Sequence, residues 1–165
     1  MSRSATPPAS DRTPLAGLTE SGLHGVVGYQ LAQASIVTTQ VFSAVVGDAC
    51  ELRPVEYTVL ALVHANPDVT ARQLARGLAV SPPNITVWLD RLESRALVAR
   101  SRSDADARMQ HVRATGAGAA LARRATQRLL DGENEALAVL SAAERAMLIE
   151  LLHKLAMARK RSAPR

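Results

Sequence analysis

Four aromatic residues in a chain of 165, one phenylalanine, one tryptophan and two tyrosines, leave almost none of the large rings that usually dominate a core. The interior must instead be built from leucine, valine and alanine, and an alanine-rich chain with few β-branched runs favours helix. A single cysteine excludes an intramolecular disulfide and fits a reducing compartment. No signal sequence is visible and the apolar runs break within a few residues, so the expected setting is the cytoplasm, with no membrane partner. Local metal signatures are missing too. His24, His64, His111 and His153 stand far apart, with no His-x-x-x-His or Cys-x-x-Cys spacing, so no metal site is expected. Gly116-Ala117-Gly118 opens a helix but lacks the glycine-rich loop and lysine of a phosphate cradle. With no linked nucleophile and base either, the reading expects neither an enzyme nor a cofactor.

What is present is enough for one domain. Hydrophobic residues make up 47% of the chain, which can bury a core at this length. Residues 1–20 are rich in Ser, Pro and Thr and are expected to be a disordered tail, leaving 21–165 as the folded unit. The net charge of +5 is modest, but its placement is uneven. Between Thr70 and Thr115 stand eight arginines, Arg72, Arg76, Arg91, Arg95, Arg100, Arg102, Arg108 and Arg113, against Asp90, Glu93, Asp104 and Asp106. Arginine grips phosphate through a planar fork and enters narrow minor grooves, so this cluster points to double-stranded DNA.

The same stretch has the order helix, turn, helix, strand, charged loop, strand. Thr70-x-x-Gln73 is a capping box, and Leu74 and Leu78 share the face of the helix it starts. Ala79-Val80 leads to Ser81, an N-cap residue, and Pro82, whose missing N–H is harmless at a first helical position. In the second helix Ile85, Trp88, Leu89, Leu92 and Ala96 recur on one side, which must be buried. The other side carries Pro83, Asn84, Thr86, Val87, Asp90, Arg91 and Ser94, short polar groups first and an arginine later. That order suits a helix entering the major groove by its N-terminus, with Pro83, Asn84, Thr86 and Val87 facing bases. Leu97 to Arg102 and Met109 to Ala114 then read as a two-stranded hairpin around residues 103–107. The fold expected is mainly α, a winged helix-turn-helix with a two-stranded β-wing.

Flanking helices complete the pattern. From about Ser21 to Val46, Leu23, Val27, Leu31, Ala34, Val37, Val41 and Val45 form a stripe, and a central helix runs from about Pro54 to before Asn66-Pro67. Two more helices follow, Gly118 to about Leu140 and Ala142 to about Arg159, the second opened by the capping box Ser141-x-x-Glu144. Its face of Met147, Leu148, Leu151, Leu152 and Leu155 adds to more apolar stripes than one small core needs. A second copy of the chain would absorb the excess.

Leu74-Ala75, Val80-Ser81, Ile85-Thr86, Leu89 to Val98, Asp106-x-Arg108 and Val112-x-x-Thr115-x-x-Gly118 together resemble the multiple-antibiotic-resistance regulator (MarR) family of bacterial transcription factors, continuously from about Leu52 to Gly118. Ala79 and Ala96 stand where the family usually has turn glycines, Val87 where many members have arginine, and Ala107 where a second wing arginine is common. The resemblance implies a homodimer whose helices in 21–50 and 116–160 interlock, with 52–115 as the DNA-binding lobe. It implies DNA contacts from Arg72, Ser81, Pro83, Asn84, Thr86, Val87, Arg91, Arg102, Asp106 and Arg108. Arg108 would enter the minor groove, with Asp106 orienting it. It also implies a small-molecule effector site between the dimerisation helices and the lobe, for which Gln33, Val37, Tyr57, His64 and Trp88 are the candidates and an aromatic acid or phenol the expected ligand.

The expected function is a homodimeric, ligand-responsive regulator, in the first instance a repressor released from a pseudo-palindromic operator. Two alternatives stay open. One is redox sensing through Cys50, although the peroxide sensors of the family carry their cysteine near the start of the first helix. The other is a helical dimer that uses the lobe for protein contacts.

Overall fold

The computed structural model describes residues 11–102 and 110–159, the side chain of Arg102 excepted. After a 3-10 turn, Ser21–Gly25, the chain forms α1 (Val27–Phe42), a π-turn (Ser43–Gly47), α2 (Asp48–Cys50), α3 (Pro54–Ala65), β1 (Val69–Thr70), α4 (Ala71–Leu78) and α5 (Pro82–Ser94). Then come β2 (Val98–Arg102), β3 (Gln110–Ala114), α6 (Gly116–Ala136) and α7 (Ala142–Met157).

The three strands make one antiparallel sheet in the order β1-β3-β2. β2 and β3 pair from Val98 with Ala114 to Arg102 with Gln110, and β1 adds Val69 against Val112 and Thr70 against His111. The fold is therefore the winged helix-turn-helix expected, with a third, two-residue strand beyond the two predicted. The wing tip read from the sequence at residues 103–107 lies outside the described residues.

The core is leucine, valine and alanine around Phe42, Ile85 and Cys50, as the shortage of aromatics required. Its centre is α3, whose Val59, Leu60 and Val63 are fully enclosed, packed between α5, α6 and β3. The sequence motif Val112-x-x-Thr115-x-x-Gly118 resolves into three structural tasks. Val112 is buried in the sheet. The Thr115 hydroxyl accepts the Gly118 N–H at 3.0 Å to cap α6, and also donates to the Ala96 carbonyl at 2.8 Å. Gly118 passes so close to β2's approach that a Cβ there would sit 1.8 Å from the Leu97 carbonyl oxygen.

Three expectations need correcting. The first long helix starts at Val27, not Ser21: Gly22 and Gly25 favour a short 3-10 turn, and Val26 is extended at φ −90°, ψ 108°. At its other end the helix runs on past Val46 through the π-turn to Cys50, and Arg128 of α6 donates to the Val45 carbonyl at 3.2 Å in that turn. Residues 11–20 of the expected tail form a closed loop: Arg12 bridges Thr19, and the Thr13 N–H and hydroxyl hold Leu18 and Leu15. Ala96 does not share the buried face of α5, because the helix ends at Ser94 and Ala96 turns left-handed at φ 53°.

α1 and α7 complete the architecture with apolar faces turned outward. Leu31, Ile36 and Val37 of α1 are exposed, and so are Met147, Leu148, Leu151, Leu152 and Leu155 of α7. Among the described residues, none of α7 is buried.

Candidate nucleic-acid interface

The helix pair α4–α5 is held by local chemistry that the sequence announces. The Thr70 hydroxyl accepts the Gln73 N–H at 3.2 Å while the Gln73 side chain receives the Thr70 N–H at 2.8 Å, so α4 starts on a complete capping box. It ends at Ala79, left-handed at φ 54°, where the Val80 N–H returns to the Ala75 carbonyl at 3.0 Å. Ser81 then takes the N-cap position of α5, but its side chain makes no cap bond. Pro82 and Pro83 supply no N–H at the first two helical positions, and the Asn84 N–H is already taken by the Ser81 carbonyl at 3.1 Å. The start of α5 therefore presents outward side chains rather than free backbone donors.

Ile85, Leu89 and Leu92 anchor α5 in the core, with Trp88 half-buried beside them. Ser81, Pro83, Asn84, Thr86, Val87, Asp90, Arg91 and Ser94 are all exposed on the opposite side. The structure thus separates the two faces as the spacing required. Val87 projects an isopropyl group 48% exposed among polar neighbours, and the Thr86 hydroxyl donates to the Pro82 carbonyl at 3.2 Å. Arg72 and Arg76 lie exposed on α4 beside it.

The arginine cluster divides in a way that the sequence count does not reveal. Arg100 pins the root of the wing to α5, donating to Asp90 at 2.6 Å and pairing with Glu93 at 3.1 Å. Arg95 caps the end of α2, donating to the carbonyls of Glu51 at 2.6 Å and Cys50 at 3.2 Å. Arg113 grips Asp68 through two nitrogens at 2.5 and 2.8 Å, and that hydrogen-bonded guanidinium holds the Asp68 carboxyl below the usual carboxylate range. Arg91, on the outward face, reaches the buried Glu56 at 3.4 Å, and Glu56 in turn accepts the Arg53 N–H at 3.0 Å. Arg95, Arg100 and Arg113 thus have internal partners, which periodicity could not disclose because those partners lie up to 45 positions away. Arg102 is described only as backbone in β2, and Asp106 and Arg108 fall outside the described residues.

The effector candidates are distributed around the hydrophobic centre. Tyr57 packs on Phe42 with ring centroids 6.0 Å apart, and its hydroxyl lies 3.0 Å from the Thr126 hydroxyl, joining α1, α3 and α6. Trp88 packs against the core, Gln33 and His64 are partly buried, and Val37 is exposed. Two surface clefts are formed elsewhere, at the elbow after α1. One of about 320 Å³ is lined by Glu51, Arg53, Glu56, Arg91 and Arg95, and one of about 370 Å³ by Phe42, Gly47, Pro54 and neighbours. Cys50 is 4% exposed and packed in the core. Among the described residues no helix is long and apolar enough to cross a membrane.

These features recur in known proteins. The model of the MarR family matches residues 52–109, from just before α3 to the residue preceding β3. A putative transcriptional regulatory protein for the hcr operon of Thauera aromatica is 28% identical over 141 residues, covering 86% of this chain and 85% of that protein. Among solved structures, the transcriptional repressor CouR bound to a 23-mer DNA duplex superposes with a TM-score of 0.77 at 29% identity, over 86% of this chain and 99% of that one. A MarR family protein of Mycobacterium tuberculosis in complex with salicylic acid gives a TM-score of 0.63 at 29% identity, over 78% of this chain and 95% of the other. With its α4–α5 pair, its β2–β3 wing strands and its flanking helices, this chain has a winged helix-turn-helix fold and is similar over residues 52–109 to the MarR family of transcriptional regulators.

Proposed function

We propose that this protein is a homodimeric repressor that binds a pseudo-palindromic operator and is released by a small aromatic or phenolic acid. The observation that carries the reading is the division of α5: Ile85, Leu89 and Leu92 fix the helix while Asn84, Thr86 and Val87 stand out from its leading end. Asn84 presents an amide suited to adenine, and Val87 can pack on a thymine methyl but cannot bond guanine, so the half-site read by α5 is A·T-rich. Arg72 on the flank of α4 and Arg108 at the wing supply phosphate and minor-groove contacts. The similarity to a repressor bound to a DNA duplex supports this assignment.

Dimerisation is supported by α1 and α7, whose apolar faces have no cover among the described residues. A two-fold dimer built on them would set two copies of α5 about 10 bp apart along one side of a duplex. An effector acts by favouring a different spacing of the lobes. Gln33, Val37, Tyr57, His64 and Trp88, at the junction of dimerisation helices and lobe, are the proposed ligand contacts, and the salicylate-bound relative supports the ligand class. The buried Cys50 weighs against a redox trigger, since oxidation needs an accessible thiolate.

Titration of the purified protein with its own upstream intergenic DNA and with a scrambled duplex, across a salt series, tests the reading. Tight binding to the first alone, with log affinity falling steeply with log salt and two subunits per site, is expected. Equal, weak binding to both would favour a lobe used for protein contacts.

A further inference from the structure

Two carboxylates are buried among the described residues, and the fold treats them differently. Glu56 is met by the guanidinium of Arg91. Glu20, only 6% exposed, meets no arginine or lysine among the described residues: one oxygen accepts the Tyr29 hydroxyl at 3.0 Å and the other pairs with Nδ1 of His24 at 2.9 Å. Its next neighbour is a second acid. Asp11, Glu20 and His24 each place a ligand-type atom within 4.8 Å of the others. A buried carboxylate set beside a second one calls for compensating positive charge, and the imidazole of His24, paired with Glu20, can supply it for one of the two at most. Arg12, the nearest cation in sequence, donates instead to the Gly17 carbonyl at 3.0 Å.

The backbone brings the three groups together. The Glu20 N–H donates to the Asp11 carbonyl at 3.0 Å and the Arg12–Thr19 bridge closes the loop, delivering Asp11 to Glu20 from nine positions away. The 3-10 turn that follows sets His24 four residues beyond Glu20. We propose that Asp11, Glu20 and His24 form a binding site for a divalent transition-metal cation that fastens the N-terminal loop to the foot of α1. Two carboxylate oxygens and one imidazole nitrogen are ligands that zinc and its neighbours accept, and a 2+ ion offsets both carboxylates. The Tyr29 hydroxyl, on α1, orients Glu20 as an outer partner. His24 is half exposed, so the site opens to solvent on one side and can be loaded from it. The sequence signal is the Glu20-x-x-x-His24 pair, which a search for paired histidines passes over, and Asp11 joins only through the loop.

The test uses the full chain, freed of metal by a chelator and titrated with cobalt(II) and with zinc. One ion per chain, visible absorption from the bound cobalt and a melting temperature that rises with zinc are expected. Asp11→Asn and His24→Ala should each weaken binding by about tenfold or more, and His153→Ala should leave it unchanged. Because His24 is exposed, circular dichroism of His24→Ala should match wild type, separating lost ligation from lost folding. No saturable binding, or wild-type affinity retained in both Asp11→Asn and His24→Ala, would overturn the site. The outcome is independent of whether the lobe reads DNA.

Discussion

Ala79 and Ala96 occupy left-handed backbone at φ 54° and 53°, each followed by an N–H that returns five residues, Val80 to Ala75 and Leu97 to Leu92. Such helix ends suit glycine, since a Cβ is costly there. We expect Ala79→Gly and Ala96→Gly each to stabilise the fold by about 0.5–1 kcal/mol, less than the full left-handed cost because glycine loses more chain entropy; urea unfolding measures it. Gly118→Ala should act oppositely and cost more than about 2 kcal/mol, because the new methyl meets the Leu97 carbonyl rather than a yielding side chain. At Asp68 the pH dependence has a definite sign. Its folded pKa is depressed by Arg113, so the stability it contributes is present above the unfolded value and lost as pH falls through the folded one. Asp68→Asn, which tolerates the local φ of 66°, should therefore lower the melting temperature at neutral pH and match wild type in acid. A gap that persists unchanged in acid would assign the effect to something other than the Arg113 pair. These residue-level facts were only partly legible beforehand: departures from glycine stood in the sequence, but Asp68 and Arg113 are joined only by the sheet.

Helices were the most legible elements, because capping boxes at Thr70 and Ser141 and the anchors Ile85, Leu89 and Leu92 are set by local spacing. β1 escaped notice, since two residues carry no alternation and Val69-Thr70 pair only once β3 lies beside them. The loop at 11–20 escaped for a similar reason: its polar composition reads as disorder until Glu20 is seen buried against His24 and Tyr29. α7 makes the strongest element-scale prediction. A 16-residue helix with no residue buried among the described residues is marginal alone, and the proposed dimer would supply the missing cover. The double variant Leu148→Glu/Leu152→Glu should shift the mass seen by light scattering from dimer to monomer or unfold the chain. An unchanged dimer would remove α7 from the interface.

On the scale of the whole molecule, α5 is anchored in the core, the wing strands are tied to it by Arg100, and the proposed dimer would cover the apolar faces of α1 and α7. DNA contacts at Asn84 and Arg108 should differ in kind. Asn84→Ala is expected to alter preference at one base pair per half-site, at a cost of about 1–3 kcal/mol, whereas Arg108→Ala should weaken binding to all duplexes and lower the salt slope. Equal affinity of wild type and Arg108→Ala would take the wing out of the mechanism. The effector adds a coupling between distant parts: a true ligand should raise the melting temperature with concentration and weaken operator binding together. A panel of aromatic carboxylates and phenols that did neither would contradict the proposed pocket. The most direct test of the central claim is fluorescence anisotropy of the protein with its upstream intergenic DNA and a scrambled duplex at several salt concentrations. The account predicts salt-sensitive binding of two subunits to the first duplex alone, and weak binding that fails to distinguish the two would contradict it.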